Sequence, residues 1–393
     1  MTKKVIQLNK QNAKVYCVSA CDRYNYGDLL FPIVAKHHLE KNGPCKFINV
    51  ATIESDLSNV GALPSKGYDI FLDPSKMPQQ STILVAGGEV LNANWLRLLG
   101  FTKRRWQDIY DRFNGPKLER RIMKKFGLNR EPLPFTLTNT NLVKNNNIIY
   151  HAVGGGLPQV RRKKILTKNA LSAAKYLSVR EHLTQRVLRN QLHLEAEMIP
   201  DSVITYSDMM PKSALERQIP QDYICVQLAL EKSKGKLPEV LKQLELLHKE
   251  TGLHIAALSI GNCPGHDDIV VARWLKDNAD FPITILSHKT IDDVTSAIAH
   301  ASLFIGTSLH GAIVSMTYCN PFVAVNKKIN KLNAYTVAWA PEYLKGCVDF
   351  SDIADEGLNR LKQHYDYSSL IESQKAIVRA SFKCIYDIAV AGN

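Results

Sequence analysis

The sequence predicts an α/β protein of two domains, each a parallel sheet flanked by helices, facing one another across a cleft. Three observations carry this. Continuously apolar runs of about four to eight residues recur, and such runs mark strands buried on both faces of a parallel sheet. Helix-length segments separate them, as βαβ units require. The rhythm then pauses once, over the polar stretch Tyr206–Gln221 bracketed by Pro211 and Pro220. At 393 residues the chain is long enough for two separate cores.

In order, the first half offers strands at Val15–Ala20, Phe47–Thr52, Tyr68–Leu72, Thr82–Ala86, Ile148–Val153 and Tyr176–Val179. The second offers Tyr223–Leu230, His254–Ser259, Ile283–Ser287, Ser302–Ile305 and Phe322–Val325. Helical periodicity appears over Gly27–Lys41, Glu181–Arg189, Pro238–Thr251, Asp268–Asn278, Asp292–His300 and Ala312–Tyr318. These place an N-terminal domain over 1–207, with a basic helical insertion at about 93–141, and a C-terminal domain over 220–348. Beyond Asp349 only helical segments follow (Ile353–His364 and Ser369–Val390), expected to pack back across the junction.

The net charge is +13, and it is concentrated. Between Lys103 and Arg130 ten basic residues face three acidic ones. Such an excess suits an acidic substrate, an anionic membrane surface or nucleic acid, or is simply a solvated helical face. Aromatic interleaving is sparse, so no nucleic-acid partner is expected. Eight scattered cysteines form no CxxC pair, which favours a reducing compartment over a disulfide framework. Met1-Thr2-Lys3-Lys4 leads only to a short mixed segment, and no apolar run reaches the roughly 18 residues that span a bilayer. A cytoplasmic protein, at most resting on a membrane, is expected.

Ligands of open parallel sheets sit beyond the carboxyl ends of the strands. Four strand–glycine junctions fall at such ends. Asn25-Tyr26-Gly27-Asp28 opens a helix with a carboxylate placed either to cap it or to meet a substrate hydroxyl. Gly87-Gly88 and Gly154-Gly155-Gly156 are expected to offer unshielded amides to a ligand. The triple glycine lacks the GxGxxG spacing and acidic ribose partner of a dinucleotide site. His151, inside the preceding strand, reads as a core histidine. Arg180, in Ser178-Val179-Arg180-Glu181, can grip a carboxylate or phosphate in parallel hydrogen bonds, or pair with Glu181 or another acid. Asp201, in Pro200-Asp201-Ser202, either forms a turn or brings a further carboxylate to the same rim. In Gly306-Thr307-Ser308-Leu309-His310-Gly311 a histidine stands at a helix start, where freed amides attract anions and an imidazole can move protons. Lys331 adds positive charge nearby. His266-Asp267-Asp268 resembles a metal corner, but no second cluster completes it, so no metal site is expected.

These segments, in this order, resemble the polysaccharide pyruvyl transferase family over about residues 15–345. The resemblance implies two Rossmann-like domains facing each other in the GT-B manner. It implies transfer of pyruvate from phosphoenolpyruvate, without a cofactor, onto two hydroxyls of a polymeric or lipid-linked saccharide, as a ketal. By position, Arg180 and His310 hold or activate the donor and Asp28 meets the acceptor hydroxyl. Asn25, Gly27, Gly87, Gly88, Gly154, Gly155, Gly156, Ser178, Asp201, Thr307, Ser308, Leu309, Gly311 and Lys331 complete the substrate-binding set. The chain departs at Ser308, where some members have arginine, and at Glu89, where they have a third glycine. A GT-B glycosyltransferase using a nucleotide sugar is the alternative that the same architecture allows.

Overall fold

The computed structural model describes residues 12–113, 116–125, 127–128, 131–261, 263, 267–363 and 365–391. Arg130, His266 and His364, singled out in the sequence, lie outside them. The described residues form two parallel sheets with helices packed around both.

The first sheet contains β1 (Ala13–Val18), β2 (Cys45–Ala51), β3 (Lys66–Gly67), β4 (Ser81–Ala86), β5 (Asn146–Val153), β6 (Tyr176–Val179) and β7 (Glu197–Met198). Its spatial order is β3-β2-β1-β4-β5-β6-β7. The second contains β8 (Tyr223–Gln227), β9 (His254–Ala257), β10 (Ile283–Ile285), β11 (Leu303–Gly306), β12 (Phe322–Val325) and β13 (Cys347–Val348), in the order β10-β9-β8-β11-β12-β13. In both sheets the order reverses beside the first strand, β1 or β8. A crevice opens at such a switch point.

The first sheet is wrapped by α1 (Tyr26–Asn42), α2 (Trp95–Thr102), α3 (Arg104–Phe113), α4 (Pro116–Lys125), α5 (Thr140–Lys144), α6 (Arg161–Ser172) and α7 (His182–Leu192). The second carries α8 (Leu230–Ser233), α9 (Leu237–Thr251), α10 (Asp268–Asn278), α11 (Ile291–Ala299), α12 (Leu309–Thr317) and α13 (Asn330–Trp339). α14 (Ile353–Lys362) packs on the second sheet, while α15 (Ser368–Ala391) returns to the first and lies against α1, β1, β4 and β5.

Alternation along the strands sorts the apolar residues into layers. In β1, Tyr16 and Val18 face an outer core with Trp95, Phe135 and Leu188. Val15 and Cys17 face inward, into a core that also takes Phe304, Ile313 and Phe322 from the second half and Phe382 from α15. One interior therefore spans both sheets. The far side of the second sheet has its own core, with Val240, Leu244 and Leu275.

Some local expectations are corrected. Tyr68–Leu72 is not a strand: Tyr68–Phe71 is a 3₁₀ turn that puts Tyr68 and Phe71 edge-to-face, 5.2 Å between ring centroids. A short, mostly apolar run of five residues reads alike in both states. The edge strand is instead Lys66–Gly67, and β3, β7 and β13 are each two residues long, too short to leave a pattern. The first strand runs Ala13–Val18, two residues earlier than its apolar run suggested. α6 and α13 gave no prior signal: α6 opens Arg161-Arg162-Lys163-Lys164 with no cap or apolar stripe.

His151 is buried, its Nε2 2.9 Å from Ser381 Oγ on α15. Phe382 packs on both His151 and His38, with ring centroids 4.4 and 4.9 Å away. Phe382→Ala should cost roughly 3–5 kcal/mol, read from urea denaturation, because it empties the junction that α15 closes. Burial holds the two imidazoles down, His38 to about 4 and His151 to about 3. An unfolded histidine takes up its proton near pH 6.5. The unfolded chain therefore binds protons that the folded chain refuses, and stability falls as pH drops below about 6.5 and is level above it. Thermal melts between pH 7 and pH 4 check this, and His38→Gln should make the slope shallower.

Candidate active site

The carboxyl ends of β1, β4, β5 and β6 meet those of β8, β11 and β12 where the two halves join. Arg180 follows β6 and is buried, with its Nη1 2.8 Å from Asp201 Oδ2. Glu181 is not its partner: that carboxylate caps α7 through the Thr184 amide, at 2.9 Å. Asp201 also accepts from the Val203 amide at 3.1 Å. From the other half, His310 at the start of α12 brings its Nε2 to 3.7 Å from the same Asp201 Oδ2. That is an electrostatic contact, too long for a hydrogen bond. Arg180 and His310 thus converge on one carboxylate across the seam.

Burial pushes the Asp201 carboxyl up. The neighbouring His310 imidazole, the Arg180 guanidinium and the Val203 N–H outweigh it and hold the group at about 2. Asp201 is therefore ionised throughout the neutral range. Around it, three buried polar atoms have no hydrogen-bond partner: Arg180 Nε, His310 Nε2 and the Tyr335 hydroxyl. Buried polar atoms without partners are uncommon in folded proteins, and each calls for an explanation such as a bound water, an ion or a catalytic role. Tyr335 comes from α13, which also ties the halves together: the Trp339 indole N–H donates to the Arg180 carbonyl at 2.8 Å.

Beside this cluster lies a cavity of about 130 Å³ lined by Arg23, Asn25, Asp28, Phe31, Gly87, Gly88, Glu89, Arg97, Phe101 and Lys331, among others. Asn25 Nδ2 donates to Asp28 Oδ2 at 2.8 Å, fixing the carboxylate at the rim. Lys331 reaches across from the second half to within 3.3 Å of Glu89 Oε2. Burial pushes the Glu89 carboxyl up, yet Lys331, Arg180 and Arg97 together bring it below its usual value. Phe31 stands between cavity and cluster. It lines the one and meets the His310 ring edge-on, 5.1 Å between centroids.

The glycines act differently from expectation. A methyl at Gly27 would fall 1.8 Å from His310 Nδ1, so this glycine is the slot that admits the imidazole. Gly87, at φ +56°, makes room for the Phe31 ring, 2.1 Å from where its Cβ would be. The amides of Gly154 and Gly155 are not free, as the triple glycine had suggested. Gly154 N–H donates to the Gly88 carbonyl at 2.9 Å and Gly155 N–H to Thr184 Oγ1 at 3.1 Å. Gly156 is exposed. Gly311 leaves space for the Phe304 ring.

Ser178 does not reach the cleft either: it is buried and accepts from the Ala152 amide at 2.9 Å, bracing an irregularity in β5. Ser308 caps α12 by accepting from the Gly311 amide, Thr307 accepts from the Ala229 amide, and Leu309 is buried in the shared core. Arg23, Arg97, Phe31 and Tyr335 were missed. Arg23 stood two positions before Asn25 in the same loop and was the one within reach of motif reading. Among the described residues no group of three or more His, Cys, Asp or Glu side chains is arranged to hold a metal ion.

The family model of polysaccharide pyruvyl transferases matches residues 25–327. The chain belongs to this family. No curated protein matches the sequence. Among solved structures, UDP-GlcNAc 2-epimerase from Methanocaldococcus jannaschii superposes with a TM-score of 0.52 at 12% identity, covering 94% of this chain and 98% of its own. A putative UDP-N-acetylglucosamine 2-epimerase from Listeria monocytogenes gives 0.54 at 9%, covering 93% and 90%. The N-terminal domain of Candida albicans trehalose-6-phosphate phosphatase gives 0.51 at 11%, covering 98% and 100%. These likenesses are of fold: two Rossmann-like halves facing across a cleft, in the GT-B manner.

In this member of the family, Gly27→Ala should lower stability by roughly 1–3 kcal/mol in urea denaturation, because the imidazole or the seam must shift. In a His310→Ala background the same change should cost little, which a double-mutant cycle would read.

Proposed function

We propose that this chain moves the pyruvyl group of phosphoenolpyruvate onto two hydroxyls of a saccharide, forming a cyclic ketal and releasing phosphate. The observation that carries this reading is the buried, partnerless donor set of Arg180, His310 and Tyr335 around one ionised carboxylate. A small acid bearing both a carboxylate and a phosphate answers such a set, with Lys331 and Arg97 at the neighbouring cavity adding charge.

Each residue then has a task that its surroundings suit. Asp201, tied to Arg180 Nη1, aims the guanidinium so that Nε remains for the donor's anionic groups. The same carboxylate stands 3.7 Å from His310 Nε2, on the ring assigned the proton transfers. Once the Phe31 ring turns aside, the imidazolium delivers its proton to the donor's methylene carbon. The double-bond electrons form the new C–H bond, and an oxocarbenium-like centre develops at the adjoining carbon. The first sugar hydroxyl adds its oxygen there and gives its proton to the now neutral His310. The carbon–oxygen bond to phosphate breaks, and phosphate leaves with the electron pair. The second hydroxyl closes the ring, its proton passing to the phosphate. Asp28, held by Asn25 at the rim, orients the acceptor hydroxyl. No cofactor is used, because phosphoenolpyruvate itself carries the transferred group.

Phosphoenolpyruvate should raise the melting temperature, by an amount equivalent to about 2.7 kcal/mol at a hundredfold excess over Kd, and UDP-GlcNAc should not. His310→Ala should cut phosphate release on a saccharide acceptor by roughly 10²–10⁴. Wild-type turnover in that variant, or stabilisation by the nucleotide sugar alone, overturns the reading.

A further inference from the structure

A strongly cationic face of the folded chain combines two segments far apart in sequence. α6 opens Arg161-Arg162-Lys163-Lys164, adds Lys168, and has no acid in its 12 residues. α4 lies beside it: Lys163 Nζ is 2.9 Å from Glu119 Oε1. Lys117, Arg120, Arg121, Lys124 and Lys125 are exposed on α4, and Glu119 is the one acid of either helix.

As part of a folded protein alone, this arrangement is unfavourable. The first turn of a helix carries the positive end of its dipole and prefers acids. α6 puts four cations there, and Val160 at the cap position offers no acceptor. Among the described residues Arg161, Arg162, Lys124 and Lys125 make no ion pair. Lys163 is answered by Glu119 and Lys164 donates to Gln191 Oε1 at 2.8 Å, but the charge of Arg161 and Arg162 is left uncompensated inside the molecule and points outward.

A second feature says what lies there. Val160 and Ile165 are 55% and 51% exposed. Ile165 shares the outward stripe of α6 with Arg161, Arg162 and Lys168. Aliphatic tips among bases suit the headgroup boundary of a bilayer, where the tips enter the acyl layer and the bases meet anionic headgroups. A nucleic acid would use the bases but gain nothing from valine and isoleucine.

We propose that the α4–α6 face is a docking surface for an anionic lipid bilayer. α6 starts a few residues after Gly154–Gly156, at the carboxyl end of β5. A bilayer bound here runs along the rim of the cleft, where the sugar end of a lipid-linked acceptor enters. The surface itself does not depend on the donor chemistry proposed above.

Cosedimentation of the full chain with phosphatidylcholine vesicles, with and without phosphatidylglycerol, tests this. Binding should require phosphatidylglycerol and weaken with salt. Arg161→Gln/Arg162→Gln should lower it roughly thirtyfold, since each base near an anionic leaflet contributes about a factor of five. Val160→Ser/Ile165→Ser should weaken it as well. The melting temperature of the glutamine variant in solution should hold or rise, separating lost docking from unfolding. Equal binding to both vesicle types, unchanged binding by the glutamine variant, or binding to an RNA oligonucleotide in place of vesicles overturns the proposal.

Discussion

A single buried carboxylate organises the centre of this molecule. Asp201 is fully shielded from water, and an ionised group in that position is tolerated only with opposite charge and donors close by. Arg180 supplies the first from the same half of the chain, and His310 approaches from the other. Removing either partner of such a pair leaves an uncompensated charge, typically at a cost of about 3–5 kcal/mol. The arrangement therefore fixes the relative position of β6, the loop after β7 and the start of α12. Those three elements are the ones that bring donor atoms to the seam.

Apolar packing continues through the seam. The inner faces of both sheets contribute to one core, and α15 closes it from the first-sheet side. Polar ties reinforce this at the site itself. The Trp339 indole donates to the Arg180 carbonyl, and the Gln374 amide donates to the Trp339 carbonyl at 2.7 Å. α15 thus holds α13, and α13 holds the backbone that carries the guanidinium. Arg180 and Tyr335 lie inside this packed region, with His310 half-buried beside them.

Much of the fold was legible because parallel strands buried on both faces leave unbroken apolar runs. The eleven expected runs include ten that became strands, and the exception, Tyr68–Leu72, was too short for periodicity to decide. The site was legible in part. The positions of Arg180, Asp201 and His310 at strand ends followed from the motifs, and these three do meet. The roles of the glycines did not follow. A glycine that admits a neighbour's ring and a glycine that bares its amide look the same in one dimension. Gly27 is explained only by His310, 283 positions away, and Ser178 only by the irregular backbone of β5.

By itself, the sequence determined the α/β class, the strand-end location of the candidate residues and the surplus of positive charge, since these depend on local pattern and composition. Tertiary structure alone decided which of those residues touch. It joined α4 to α6, placed Phe31 between cavity and cluster, and set Arg180 and His310 on either side of Asp201. The physical reason is that such contacts depend on distance and exclusion of water across a shared core, and neither is encoded within any one segment.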